Sequence, residues 1–482
     1  MQQHTTASTS TSAPLPPLLQ HLGAVLAAHR SAVCQERCFA RLGALVLGSL
    51  HTPARRTVAQ LLLGLGLIAA DWSAFYRLFR RPRVDYDALT RGYLRQSVAE
   101  IPAPAPFVAA LDGVQLPRSS GRMPGTSWLK NPRTPPFKPG IHRAQRFLHL
   151  AALLPRWNGY SRALPLRFVP AFPSKAVPGA AAPQTEWQTG GAQLHWLRAE
   201  LDAAGRTEQS VLALGDGTYD VVELWQTLPE RTVLLARTAR TRALYALPAR
   251  RAGRGRPPVY GPHAPTPAQW LHARGGWQQT AVRVRGRDMP LRYRVEGPFL
   301  RYDAPAHPVF LLVVRGSGRG QGQRRARKPA FYLVSAVQRA GASAWALPWP
   351  AEELLAWAWQ RWEVEVSHRG MKTDWGVGQV QCWQPLATVR AVQVQVWAYG
   401  ICVLAGHRAW GYGGHPRAVR PAGLWWAGPP RWSLATLWRG YQQALTQCPA
   451  FSLTRTGMPG TWPEKEAVVQ ALLAQCGAAG PA

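Results

Sequence analysis

The sequence predicts an α/β protein in which a mixed sheet is flanked by helices, with a helical segment ahead of it and a β-rich stretch inserted in it. Three observations predict this class. Apolar residues recur at helical spacing from Leu18 to about Ser97. After the string IPAPAP (101–106), short apolar runs and helical segments alternate in the order strands, helix, strand, helix, strand. From 239 to 330 Arg, Gly and Pro dominate and polarity alternates with period two, as in TAVRVRGRDMPLRYRVEG (280–297), which suits short antiparallel strands.

In chain order, residues 1–17 are polar and rich in Ser, Thr and Pro. They lack the basic start and apolar core of a secretory signal, and read as a disordered tail. Residues 18–105 form a helical domain. Thr52-Pro53 signals a helix over 54–65, and after a break at 66–71 a second helix runs over 73–80 in DWSAFYRLFRRPR. Helix, short turn and basic aromatic helix suit a helix-turn-helix DNA reader, with Arg77, Arg80 and Arg81 as its cations. An ordinary helical bundle with a basic surface fits the same residues. The first part of the α/β core, 106–238, carries strands at Phe107–Leu111, Arg146–Leu154, Leu164–Val169, Ser210–Leu214 and Thr232–Ala236. Its helices fall at Glu186–Ala204 and Asp220–Leu228. The stretch 239–330 carries two basic loops, 249–258 and 315–329, read either as arms that track phosphates or as solvated charge runs. The core resumes over 331–410 with a strand at Ala330–Ser335, a long helix from Ala351 to about Gly370 and an apolar helix at Thr388–Arg408. Residues 411–482 are rich in Trp and Pro, with one or two short helices.

The 482 residues hold 57 basic and 24 acidic side chains, a net charge of +33. That excess favours a polyanion, and nucleic acid is the commonest one. A GC-rich coding bias also enriches Ala, Arg, Gly and Pro, and only six of the cations are Lys. No basic amphipathic helix suggests a membrane surface. The longest apolar run, Leu61–Ala70, is too short to cross a bilayer. The six Cys form no CxxC pair and have no His at zinc spacing, so they read as core thiols in a reducing cytoplasm.

Ten Asp and fourteen Glu make each acidic setting informative. Asp112 and Asp216 each end an apolar strand and precede a Gly, which places a carboxylate where it can point into a cleft. Two such groups on adjacent strands can hold a hard divalent cation. A pair of cations can then clamp the attacking and leaving oxygens of a phosphoryl transfer. Asp-Gly is also a common turn. Arg361 and Glu365 lie four apart on a helical face, with Lys372 further along the same side. A carboxylate between cations suits a metal ligand beside a phosphate backbone, and equally an i,i+4 surface ion pair. Asp220 reads as a helix cap, and Glu363 faces away from Glu365. His368 and Arg369 suit either DNA contact or solvent, and Trp270 or Trp277 could stack a flipped base. The string GRGQGQ lacks the Lys-Ser/Thr of a phosphate-binding loop.

Arg361, Glu365 and Lys372 stand at the spacing of the last three residues of a Tyr-Arg-Glu-Lys signature. With RWEVE, LALGDGTYD, LDGVQLPRSSGRMPGTSW and GRGRPPVYG, this chain resembles the DDE transposases of the IS4 and IS701 groups of insertion sequences over roughly residues 30 to 410. It departs at the signature Tyr, whose position holds Ala358 between Trp357 and Trp359. The DNA-backbone contact expected of that Tyr is therefore lost, or taken by a neighbouring indole. The resemblance implies an RNase H-like core with Asp112 on the first strand, Asp216 on the fourth, and Glu365 on a late helix after a β-rich insertion. It implies two Mg²⁺ or Mn²⁺ ions held by these three residues, and phosphates of the transferred strand held by Arg361 and Lys372. The expected partners are double-stranded DNA (the element's terminal inverted repeats and target DNA) and a second copy of the chain on that DNA. The expected reaction is metal-dependent cleavage and strand transfer in a bacterial cytoplasm, at the nucleoid, with no membrane partner. The competing expectations are a catalytically silent DNA-binding protein derived from a transposase, and a basic RNA-binding or scaffold protein.

Overall fold

A computed structural model describes residues 15–447 except 53, 69, 132–133, 135–137, 139, 173–183, 250–255, 317–326, 339–340, 342, 381 and 415–430. Most of the amino-terminal tail, much of both basic loops, the GRGQGQ string, most of 411–482, Cys448 and Cys476 lie outside the described residues. The chain divides into two compact units, one reaching to Tyr76 and resuming at Ile401, the other Arg77–Gly400.

The first unit is helical. It contains α1 (Pro17–Ala27), α2 (Glu36–His51) and α3 (Val58–Gly64). α2 is buried almost continuously from Cys38 to Leu50, so it is a central helix rather than an amphipathic surface one. α3 starts four residues later than its sequence suggests, because Thr57 supplies the cap: its side chain accepts from the Gln60 amide at 3.4 Å. Cys38 and Cys402 are buried thiols in this unit, but Cys34 is exposed and precedes α2, so it is not the core thiol expected. Next along the chain, α4 (Trp72–Arg80) and α5 (Tyr86–Val98) complete the amino-terminal helices. α4 buries Ala74, Phe75, Leu78 and Phe79 and leaves Arg80 exposed, with Arg81 exposed just after it.

The second unit is built on one sheet of eleven strands. Its nucleus is β1 (Phe107–Pro117), β2 (Thr126–Lys130), β3 (Ile141–Leu153), β4 (Ala163–Pro170), β5 (Val211–Gly215) and β6 (Thr232–Arg237). β3 lies antiparallel to β1, β2 and β4, while β1, β5 and β6 run parallel. The order β4-β3-β1-β5-β6, three antiparallel strands followed by two parallel ones, is that of the expected RNase H-like core. α6 (Glu186–Ala203) and α7 (Val222–Gln226) lie in the connections on either side of β5. The capping box Thr185/Gln188 fixes the start of α6.

The β-rich insertion is continuous with this core. After the short β7 (Tyr245–Ala246) and α8 (Pro267–His272), β8 (Gln278–Val284), β9 (Arg287–Arg301) and β10 (Ala304–Val314) form an antiparallel meander. β10 pairs β11 (Ala330–Ser335), and β11 pairs β6. These strands are longer than expected, since pairing on the existing sheet edge satisfies backbone groups that alternation alone does not reveal.

One face of the sheet forms the main core. Val108 and Ala110 of β1, Leu212 and Leu214 of β5, Leu235 of β6 and Val334 of β11 all pack there. They meet Leu354, Leu355 and Trp357 of α9 (Ala351–Gln360) and Val364 of α10 (Trp362–Arg369). Arg361 keeps helical angles (φ −51°, ψ −31°), so α10 follows α9 without a turn. The helix then widens into a single π turn at Gly370–Asp374, which carries Lys372. A following helix, α11 (Pro385–Trp410), is long and apolar enough to cross a membrane, and 83% of its apolar window is buried inside the protein. That burial explains its composition as that of a core helix.

Candidate active site

β-Strand periodicity places the acidic residues. Side chains two apart share a face. β1 and β5 pair in parallel with Val108 opposite Leu212 and Ala110 opposite Leu214. Two residues further on, Asp112 therefore stands beside Asp216 on the same face. Asp216 directly follows β5 and its side chain accepts from the Thr218 amide at 2.8 Å, capping the short turn 217–219. Asp112 does not end its strand as expected: β1 continues to Pro117, and Asp112 pairs with His149 of β3. Gly113 is no turn residue either. A Cβ there would overlap the Glu186 carboxylate, so the glycine permits a close approach from α6.

α9 and α10 pack on this same face, and Arg361 at their junction links Glu365 to Asp112. Arg361 Nη2 donates to Glu365 Oε1 at 2.8 Å, and Arg361 Nη1 lies 4.0 Å from Asp112 Oδ2. The i,i+4 pair is thus half-buried and reaches into the acidic group instead of standing on the surface. Arg118, just after β1, ties this strand to the segment that follows the π turn: its Nε donates to Gln145 Oε1 at 2.9 Å and its Nη1 to the Gly378 carbonyl at 2.6 Å.

Burial pushes the Asp112 carboxyl up to about 7, against the Arg361 guanidinium beside it, and the charges of Asp216, Glu365 and Glu186 push the same way. Asp216 and Glu365 thus lie close enough to act on Asp112, and carboxylate oxygens are the donors a hard divalent cation takes. Among the described residues, no three His, Cys, Asp or Glu side chains stand in a ready metal-holding arrangement. Arg361, a permanent cation, stands between Asp112 and Glu365, 4.0 Å from the first and hydrogen-bonded to the second. A metal ion would have to share or displace that guanidinium.

Sequence reading missed a buried shell around this group. His149 Nδ1 and His368 Nε2 are 2.7 Å apart, and His368 Nδ1 is 3.6 Å from Asp112 Oδ2. Burial holds His149 down at about 3 and His368 well below its ordinary value, with His149, Lys372 and Arg361 adding to the second effect. His368 therefore faces the carboxylates as a neutral ring, neither solvated nor on an outer surface. From the glycine side of β1, buried Glu186 accepts from the Tyr219 hydroxyl at 3.0 Å and pairs with Arg146. Its only signal in the sequence was its place as the first residue of a capped helix.

Asp220 is not a helix cap. Its side chain is 1% exposed, accepts from Thr238 Oγ1 at 2.6 Å and Arg242 Nη2 at 2.6 Å, and forms an ion pair with Arg301 Nη1 at 3.0 Å. Glu363, expected to face away from Glu365, is buried. Trp270 and Trp277 flank the Arg294 guanidinium at 4.5 and 5.5 Å, and Arg315 lies 5.4 Å from the Trp277 ring. Both indoles are thus engaged by cations. Lys372 is half-exposed on the π turn, and Arg77, Arg80 and Arg81 belong to α4 and its end.

A mixed sheet with two aspartates on neighbouring parallel strands, and helices carrying Arg361 and Glu365 packed on the same face, is the setting in which a metal-dependent nuclease holds its carboxylates. The chain belongs to the DDE superfamily endonucleases, whose family profile matches residues 29–297. That match includes Asp112 and Asp216 and ends before Glu365. None of the curated proteins matches the chain. Among solved structures it is similar to the piggyBac transposase in a cryo-EM synaptic complex with hairpin DNA, at 12% identity and a TM-score of 0.39, over 91% of this chain and 76% of that one.

Proposed function

We propose that this endonuclease is a cut-and-paste transposase of the IS4/IS701 kind, which binds the terminal inverted repeats of its own insertion sequence, cleaves there and joins the freed ends to target DNA. The observation that carries this reading is the register of β1 and β5, which sets Asp112 beside Asp216 under the helix bearing Glu365. Asp112, Asp216 and Glu365 would hold two Mg²⁺ or Mn²⁺ ions, which supply the positive charge needed for in-line displacement at phosphorus. Arg361 would then pass from carboxylate counter-ion to phosphate ligand, with Lys372 beside it. The neutral His149–His368 pair keeps water and further charge away from the inner side of Asp112. Arg77, Arg80 and Arg81, with the basic loops, would grip the DNA backbone away from the chemistry. Joining two ends calls for two copies of the chain on the DNA, in a bacterial cytoplasm.

The test is competition binding at physiological salt. The protein should bind a duplex carrying its element's terminal repeat at least ~10³-fold tighter than a scrambled duplex, as sequence-specific DNA readers do. Equal affinity for both would overturn the end-binding reading. Tight binding to ends with no cleavage in Mg²⁺ would mark the catalytically silent alternative, to which Ala358 points.

A further inference from the structure

The strand ladder stops short of the carboxylates. β1 and β5 pair from Phe107 and Val211 to Ala110 and Leu214, and Asp112 and Asp216 lie beyond the last of these pairs. The spacing of the two side chains is therefore set by contacts other than that ladder. One such contact bridges the gap from behind the sheet. Gly113 follows Asp112 and so presents the opposite face. The Glu186 carboxylate of α6 occupies the space that a Cβ at Gly113 would take. On the other strand, Tyr219 lies just past Asp216 and donates its hydroxyl to Glu186 Oε1 at 3.0 Å. The Tyr219 side chain is fully buried, in a slot where a Cβ at Gly215 would come within 2.8 Å of its Cβ, and one at Gly190 within 3.0 Å of its Cε1. Glycines on β1, β5 and α6 thus clear the path of one hydrogen bond.

The turn that carries Tyr219 closes on Asp216 itself. The Thr218 amide donates to Asp216 Oδ1 at 2.8 Å, and the Tyr219 amide to the Asp216 carbonyl at 3.2 Å. The ring and the aspartate are therefore parts of one closed unit. The link is also a costly way to fill space. The Glu186 side chain is 5% exposed, its ion-pair partner Arg146 is 37% exposed, and its charge opposes ionisation of Asp112. An apolar side chain would occupy the slot without burying a charge. What an acceptor adds is a directional tie to the Tyr219 hydroxyl. We propose that Glu186 and Tyr219 are positioning residues that hold the Asp112 strand and the Asp216 turn at a fixed spacing, from the face opposite the reaction, so that both carboxylates can grip one divalent cation. This assignment rests on the DNA-cleaving reading and adds to it the brace that sets its donor spacing.

The test measures Mn²⁺ binding to the full chain without DNA, by electron paramagnetic resonance, as the component that Asp216→Asn removes. Tyr219→Phe keeps the ring in its slot and deletes one hydroxyl. It should weaken that binding about tenfold, the lower end of what loss of an outer-shell partner costs at a metal site. Hydrogen exchange at the 217–219 amides should quicken about tenfold in the same variant, while the amides of β1 and β5 keep their protection. Glu186→Gln still offers an oxygen to the Tyr219 hydroxyl and should stay within about threefold of the parent in both measurements. Where the parent binds Mn²⁺ at this site, unchanged affinity in Tyr219→Phe overturns the proposal and leaves the nuclease reading standing. Weaker binding with unchanged exchange of the turn overturns it too. So does a loss seen in Glu186→Gln and absent from Tyr219→Phe, which would make charge the agent instead of the hydrogen bond. A parent protein with no Asp216-dependent Mn²⁺ site is a different outcome: the nuclease reading itself then falls and takes the positioning role with it.

Discussion

Glu365→Gln is expected to slow Mg²⁺-dependent nicking of element-end DNA about a thousandfold, equivalent to about 4 kcal/mol of lost transition-state stabilisation. Glutamine keeps the size of the side chain and can still accept the Arg361 hydrogen bond now made at 2.8 Å. What disappears is one negative charge from the donor set. The substitution should barely touch folding, because Glu365 is half-exposed and no apolar packing is lost. Chemistry and stability therefore separate: rate falls steeply while the denaturation midpoint stays within about 0.5 kcal/mol of the parent. Nicking within tenfold of the unsubstituted rate would remove Glu365 from the reaction.

Asp220→Ala is expected to cost stability first, through a buried charge cluster that closes the short turn after Asp216. Asp220 and Arg301 have side chains only 1% and 3% exposed, 3.0 Å apart, and Arg242 and Thr238 converge on the same carboxylate. Desolvation makes such a pair a weak net contributor while intact. Removing the acid alone leaves the buried Arg301 guanidinium unpaired, at a cost of about 3–5 kcal/mol. The cluster ties the end of β5 and the start of the inserted strands to β9, so the loss should appear as a lower urea midpoint for the sheet-bearing unit. A midpoint shift worth less than about 1 kcal/mol would mean that water reaches the Arg301 guanidinium, and that it is not buried as described.

The strands that bound the site were legible where turn residues closed an apolar run. β5, β6 and β11 begin and end within one residue of their sequence reading because Gly215-Asp216-Gly217, Arg237-Thr238 and the Pro329 break mark them. β1 was not, because Asp112-Gly113 has the composition of a turn. Only the fold reveals that the missing side chain makes room for Glu186. Continuity between the insertion and the core was equally hidden. It depends on β6 pairing with β11 across nearly one hundred residues, and alternation within a strand does not specify its neighbour. The acidic residues themselves could be chosen because carboxylates are scarce in so basic a chain. Their shell could not: His149 and His368 are 219 positions apart, and an isolated histidine carries no mark of the partner that burial will give it.

The most direct measurement is anomalous diffraction from crystals of the full chain grown with Mn²⁺. The account predicts Mn²⁺ peaks against the carboxylates of Asp112, Asp216 and Glu365, with Arg361 turned away from at least one of them, and loss of those peaks in Asp216→Asn. Manganese bound elsewhere, or absent from these carboxylates while Arg361 keeps both of its acidic partners, would contradict it.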